Sequence, residues 1–184
     1  MHDEIENLPT IQETLKNNKV KINKALGQNF LFDLNLTDKI VKQSKPRAST
    51  IIEIGSGPGS LTRSILKNKS AIVYAIDKDI QSEKMLSELK MIYKDKLNII
   101  IGDALNYPIW NLGEAPRQVI ANLPYNVGTK MLVTWLKYIH NFDLLTLMFQ
   151  KEVAERIVAK PGSKNYGRLS VLTNWLTESS KLFD

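Results

Sequence analysis

Asn122-Leu123-Pro124-Tyr125 carries more chemical content than any other short stretch of the sequence. An amide side chain, a carbonyl whose direction proline constrains and an aromatic face stand side by side. The combination suits attack by the exocyclic amine of a nucleobase on an electrophilic carbon. That amine is a poor nucleophile because its lone pair is delocalised into the ring. Acceptors placed on its protons draw it toward a tetrahedral geometry and localise the pair. Asn122 can offer its side-chain oxygen, and the carbonyl of Leu123 or of Pro124 can offer a second acceptor. Tyr125 offers a surface on which an extruded base can stack. In-line transfer of a methyl group then depends on positioning more than on a strong base. That agrees with a chain whose only histidines are His2 and His140. The plainer reading is a strand-to-loop turn, because Asn and Pro are turn residues.

A second cluster lies upstream, in Ile51-Ile52-Glu53-Ile54-Gly55-Ser56-Gly57-Pro58-Gly59-Ser60-Leu61. An apolar run entering a glycine-dense turn and then a helical pattern reads as buried strand, tight loop and helix N-terminus. Gly55, Gly57 and Gly59 let a ligand approach the backbone. The dinucleotide fingerprint G-x-G-x-x-G is not met, because Ser60 stands where its third glycine belongs. The acid-x-G-x-G-x-G pattern that starts at Glu53 resembles motif I of Rossmann-like S-adenosylmethionine-dependent methyltransferases. A purely structural turn in some other α/β protein is the alternative.

Two acids follow at strand ends. Asp77 stands about 20 residues beyond the glycine loop, where a carboxylate commonly accepts from both ribose hydroxyls. Asp79 is the second candidate for that contact, and a helix cap is the competing task for this polar turn. Asp103 ends another apolar run and is suited to accept from an adenine amino group, to cap the turn after it, or to do both.

These groups need a frame that brings strand ends together. The sequence predicts strands at 50–54, 71–76, 98–101, 118–121 and 144–149. Helices are expected over about 10–15, 36–44, 60–67, 80–93, 129–138, 150–158 and 169–176, with Asp33 or Asn35 capping the second. Alternating strands and helices mean a mainly parallel sheet flanked by helices. Residues 1–24 are expected to be a peripheral arm with a short helix, and residues 25–184 a single Rossmann-like catalytic domain. Lys24-Ala25-Leu26-Gly27-Gln28-Asn29-Phe30-Leu31 is too apolar for a tail and too irregular for an element.

Composition narrows the possibilities. The 184 residues contain no cysteine, which excludes disulfides, thiolate metal sites and cysteine nucleophiles. Two histidines make a multi-histidine metal site a poor expectation, and no metal is expected. No apolar run is long enough to span a membrane, so the expectation is a cytoplasmic protein with no membrane partner. A net charge of +6 suits a polyanionic partner, although an excess of lysine over arginine also follows from a biased genome. Lys16, Lys19, Lys21 and Lys24 are either a phosphate-facing arm or a solvated face.

With these stretches in order, the sequence resembles the rRNA adenine dimethyltransferase family, and its small-subunit branch in particular. Gly27-Gln28-Asn29-Phe30-Leu31, Glu53 to Thr62, Asp103-Ala104 and Asn122 to Tyr125 carry the likeness. Gln150-Lys151-Glu152-Val153 and Tyr166-Gly167-Arg168-Leu169-Ser170-Val171 extend it toward the end of the chain. The resemblance implies an S-adenosylmethionine site formed by Asn29, Leu31, Gly55, Gly57, Asp77, Asp103 and Asn122, with Asn122 to Tyr125 as the catalytic stretch. It implies dimethylation of the 6-amino groups of two adjacent adenosines in a hairpin loop near the 3′ end of small-subunit (16S) rRNA. The partner would be that rRNA or the pre-30S particle, met by a monomer with Arg156, Lys160, Lys164 and Arg168 as candidate phosphate contacts. Two departures stand out. The ribose acid is more often Glu in the family, so Asp77 is one methylene short. Members also continue with a Pro-rich segment, a terminal strand pair and a small helical domain, so a chain ending at Asp184 is expected to be truncated before them. Competing expectations are a large-subunit rRNA adenine methyltransferase of the antibiotic-resistance type and a non-catalytic RNA-binding assembly factor.

Overall fold

Ile51, Ile52, Val73, Ile76, Val119 and Ile120 are shielded from solvent almost completely, as continuous apolar runs must be when a parallel sheet is covered on both faces. The computed structural model describes residues 8–20, 30–67 and 71–183. Its sheet has five parallel strands: β1 (Thr50–Ile54), β2 (Ile72–Asp77), β3 (Leu97–Ile101), β4 (Arg117–Asn122) and β5 (Leu144–Met148). Their spatial order is β3-β2-β1-β4-β5. The chain therefore winds outward from β1 in one direction and then restarts on its other side with β4. A crevice opens at such a reversal, outside the carboxyl ends of the strands, and ligands bind there in open α/β sheets.

Eight α-helices are described: α1 (Ile11–Asn17), α2 (Leu34–Ser44), α3 (Ser60–Leu66), α4 (Gln81–Met85), α5 (Ser87–Tyr93), α6 (Gly128–Leu136), α7 (Lys151–Ile157) and α8 (Arg168–Leu176). Two apolar layers flank the sheet. Ile40, Leu61, Ile65, Leu86 and Leu89 pack with Ile51 and Val73 on one face. Ile109, Met131 and Trp135 pack with Ile52, Ile76 and Val119 on the other.

The expected α/β frame is present, with local differences. The helix expected over 80–93 is interrupted at Leu86, which separates α4 from α5. Leu86 is fully buried and packed against the glycine loop, where a Cβ on Gly59 would lie only 2.7 Å from its Cδ2. The helix expected to reach 138 ends at Leu136 and gives way to a 3-10 turn, Ile139–Asn141. Asp33, rather than Asn35, caps α2, accepting from Asn35 N at 2.8 Å.

The first helix docks on the sheet's outer layer. Thr10 and Glu13 form a reciprocal cap, with Thr10 N donating to Glu13 Oε2 at 2.8 Å. Arg63 of α3 is buried and donates to Pro9 O at 2.7 Å and to Thr14 Oγ1 at 3.2 Å. At the other end, side chains of α8 satisfy carbonyls at the end of α7. Ser170 Oγ donates to Arg156 O at 2.5 Å, Thr173 Oγ1 to Ile157 O at 2.9 Å and Asn174 Nδ2 to Ala159 O at 2.9 Å.

Candidate active site

β1 delivers the glycine loop to the sheet's reversal point. Gly55, Gly57 and Gly59 have φ of 76°, 49° and 88°, in the left-handed region that L side chains avoid. Gly57 is constrained twice over, because a Cβ there would sit 2.7 Å from Phe30 Cε1. The loop thus bends through conformations open to glycine and takes the ring of Phe30 against its backbone. A cavity lies beside it, lined by Phe30, Leu31 and the strand ends.

β2 places Asp77 in the same cavity. Asp77 Oδ2 accepts from Gly57 N at 2.7 Å and Oδ1 from Asp79 N at 2.8 Å. Burial raises the Asp77 carboxyl above the ordinary range, while these two N–H groups oppose the rise. Asp79 does not line the cavity; its Oδ1 accepts from Gln81 N at 3.0 Å at the start of α4.

β3 leads to Asp103, also in the wall. Its Oδ1 accepts from Leu105 N at 3.0 Å and its Oδ2 pairs with Lys78 Nζ at 3.1 Å. The Leu105 N–H first, and Lys78 after it, hold this carboxyl below the usual range. Asp103 is therefore a turn cap as well as a wall residue.

β4 ends on Asn122, and Asn122, Leu123 and Pro124 line the cavity opposite the acids' strands. Pro124 O accepts from Gly128 N at 2.9 Å and from Val127 N at 3.2 Å at the start of α6. Both of its lone pairs are thus engaged by the protein's own backbone. Tyr125 is half exposed and does not line the cavity.

Leu31, Gly55, Asp77, Asp103 and Asn122 line one cavity. Gly57 contributes through its N–H and its bend. Asn29, Lys21 and Lys24 lie outside the described residues. Arg156, Lys160, Lys164 and Arg168 are exposed on or between α7 and α8. Glu53, Ser56, Ser60, Lys78 and Asn126 also line the cavity, and sequence reasoning gave none of them a role there. Glu53 is 1% exposed, and neither of its carboxylate oxygens has a hydrogen-bond partner. The hydroxyls of Ser56 and Ser60 are likewise buried and unpartnered. Only the acid-before-glycine pattern could have pointed to Glu53. Among the described residues there is no metal-binding cluster and no helix long and apolar enough to cross a membrane.

Strand order and the place of the cavity define the class: this is the Rossmann-like fold of the class I S-adenosylmethionine-dependent methyltransferases. The chain belongs to the ribosomal RNA adenine dimethylase family, whose model matches residues 19–183. It is 48% identical over 178 residues to ribosomal RNA small subunit methyltransferase A of Rhodospirillum rubrum, covering 96% of this chain and 62% of that protein. The protein of the same name from Azorhizobium caulinodans is 48% identical over 185 residues, covering 98% of this chain and 64% of its own length. The chain therefore spans somewhat less than two thirds of these relatives. Among solved structures it is similar to a dimethyladenosine transferase from Plasmodium falciparum, with TM-score 0.68 and 28% identity over 79% of this chain and 52% of that one. It is also similar to the 23S rRNA methyltransferase ErmE, with TM-score 0.63 and 25% identity over 79% of this chain and 55% of that one.

The residues present fit the cofactor of this class. A cationic amino-acid end finds a buried carboxylate and free hydroxyls at Glu53, Ser56 and Ser60. A nucleoside end finds acids at Asp77 and Asp103.

Proposed function

We propose that this chain binds S-adenosylmethionine in the cavity and dimethylates the 6-amino groups of two adjacent adenosines near the 3′ end of small-subunit rRNA. The observation that carries the proposal is that β4 sets Asn122 and Leu123 into the wall of the cavity that the Gly55–Gly59 loop and Asp77 form. Bound there, the cofactor would supply an electrophilic sulfonium methyl group.

The chain's own part is to present the amine. The Asn122 side-chain oxygen accepts one amine proton. With the Pro124 carbonyl engaged by Val127 and Gly128, the second acceptor is the Leu123 carbonyl. Tyr125, half exposed beside them, stacks the extruded base. Asp77 takes the ribose hydroxyls with the lone pairs left over from Gly57 and Asp79, which suits a side chain one methylene shorter than Glu. Asp103 accepts from the adenine, and Asn29 and Leu31 help to hold the cofactor. Residues 25–184 are the catalytic domain in this reading and residues 1–24 an arm. The exposed basic residues around α7 and α8 meet rRNA phosphates, on the pre-30S particle, in the cytoplasm and as a monomer.

The test is transfer of labelled methyl groups from S-adenosylmethionine to small subunits from methylation-deficient cells. Dimethyladenosine at the paired 3′-end positions is the expected product. Labelling of large-subunit rRNA instead would contradict the proposal, and cofactor binding without transfer would favour an assembly role.

A further inference from the structure

Glu53 is the one acid of the cavity that the fold leaves unanswered. It sits in the middle of the sheet, on β1, next to Ala75 of β2 and Ile120 of β4 in register. Its carboxylate is buried, lines the cavity and has no hydrogen-bond partner on either oxygen. Ser56 and Ser60 line the same cavity, and their hydroxyls are buried and unpartnered too. A buried carboxylate with nothing to pair with does not stay ionised.

We propose that Glu53 exchanges a proton for the cofactor: neutral while the cavity is free, it ionises against the cofactor's α-ammonium group on binding and releases its proton to solvent.

This rests on the reading of the cavity as an S-adenosylmethionine site. Three walls of that site are already committed. Asp77 and Asp103, at the ends of β2 and β3, suit the nucleoside, and Asn122 must face the methyl group. The amino-acid end is left with the β1 and α3 side, where Glu53 and the hydroxyls of Ser56 and Ser60 stand. An ammonium has three donors and can bond the carboxylate and two hydroxyls together.

The charged surroundings favour the exchange. Burial, with the neighbouring Asp77 charge added, pushes the Glu53 carboxyl up to about 8. Thr62 on α3 opposes the rise, yet neither its hydroxyl nor the carboxylate makes a hydrogen bond of ordinary geometry. Arg63 of α3 is turned away to Pro9 and Thr14, and Lys78 and Asp103 pair with each other. On β4, Ile120 stands opposite it in register and Asn122 lines the same cavity, neither of them charged. Among the described residues no cation is placed on Glu53, so an arriving ammonium would return its carboxyl to the ordinary carboxylate range.

Calorimetric titration at pH 7 in buffers of different ionisation heat counts the protons. S-adenosylmethionine should release about 0.9 proton per molecule bound, the fraction of a group titrating at about 8 that is neutral at pH 7. Affinity should rise about tenfold from pH 6 to pH 7, where an amino-acid ammonium stays largely protonated. Glu53→Gln, an isostere of the neutral form, should bind more weakly at pH 7, release no proton and show the same affinity at pH 6 and pH 7. Methylthioadenosine, which lacks the amino-acid end, should bind the unaltered chain without proton release, a control that needs no variant. Cofactor binding with no proton released would overturn the exchange while leaving the cofactor site standing. Release that persists in Glu53→Gln or with methylthioadenosine would do the same, and absence of cofactor binding would overturn both.

Discussion

Gly57 N donates to Asp77 Oδ2 at 2.7 Å, joining the loop that leaves β1 to the end of β2. One carboxylate therefore shapes the glycine loop and faces the cavity that the loop borders. Asp77→Ala should lose both tasks. The expected outcome is a loss of about 1–3 kcal/mol in stability and a weaker affinity for S-adenosylmethionine, read by urea unfolding and calorimetry. Asp79→Ala removes the bond from Gln81 N at the start of α4, together with the contacts from the Gln81 side-chain amide, and leaves the cavity wall intact. It should cost about 1 kcal/mol of stability and leave affinity unchanged. The reverse pattern would move the ribose contact to Asp79.

Gly57→Ala should be damaging for two separable reasons. Its φ of 49° costs an L residue about 1–2 kcal/mol, and its Cβ would press on Phe30 Cε1 at 2.7 Å. Adding Phe30→Ala removes the clash and leaves the backbone strain. The double variant should therefore recover part of the stability lost by Gly57→Ala, a positive coupling in a double-mutant cycle. Strict additivity would mean that the ring simply moves aside.

Glu53 gives stability a pH dependence of known sign. Burial holds its folded-state pKa at about 8, above the ordinary value of 4.5. The folded state thus keeps a proton that the unfolded chain has lost. Its contribution is fully present below pH 4.5 and is lost progressively as pH rises to about 8. Glu53→Gln keeps the neutral form at every pH. The stability of Glu53→Gln relative to the parent chain should therefore increase between pH 5.5 and pH 8 in urea titrations without cofactor. A constant difference would show that the carboxyl is ionised in the folded protein.

Ser170 lies in the Tyr166 to Val171 stretch that helps to mark the family, yet its work is structural. Its side chain is fully buried and donates to Arg156 O, while Gly167 N donates to it at 3.1 Å. Ser170→Ala should cost about 1–3 kcal/mol by orphaning these groups, with cofactor affinity unchanged. Lost affinity at full stability would give α8 a direct part in the site.

The frame was legible because its signals are local. Ile51 to Ile54 running into three spaced glycines has few readings other than strand, loop and helix, and the acids at Asp77 and Asp103 mark the ends of apolar runs. What sequence could not show depends on partners distant along the chain. The break at Leu86 falls where that side chain is packed against Gly59. The engagement of the Pro124 carbonyl by the N–H groups of Val127 and Gly128, on which the proposed role of Leu123 rests, is another such contact. The isolation of Glu53 depends on which face of β1 turns toward α3. The docking of α1 by Arg63 spans 54 positions of sequence, and no periodicity encodes such a pair.

Asn122 bears the central claim, that this cavity methylates an amine rather than merely holding a nucleotide. The most direct measurement is single-turnover methyl transfer to undermethylated small subunits by the parent chain and by Asn122→Ala, alongside the cofactor affinity of each. Loss of one aligned acceptor should slow transfer by about a hundredfold, with only a minor change in affinity for S-adenosylmethionine. Equal losses in transfer and affinity would make Asn122 a structural wall residue and contradict the account.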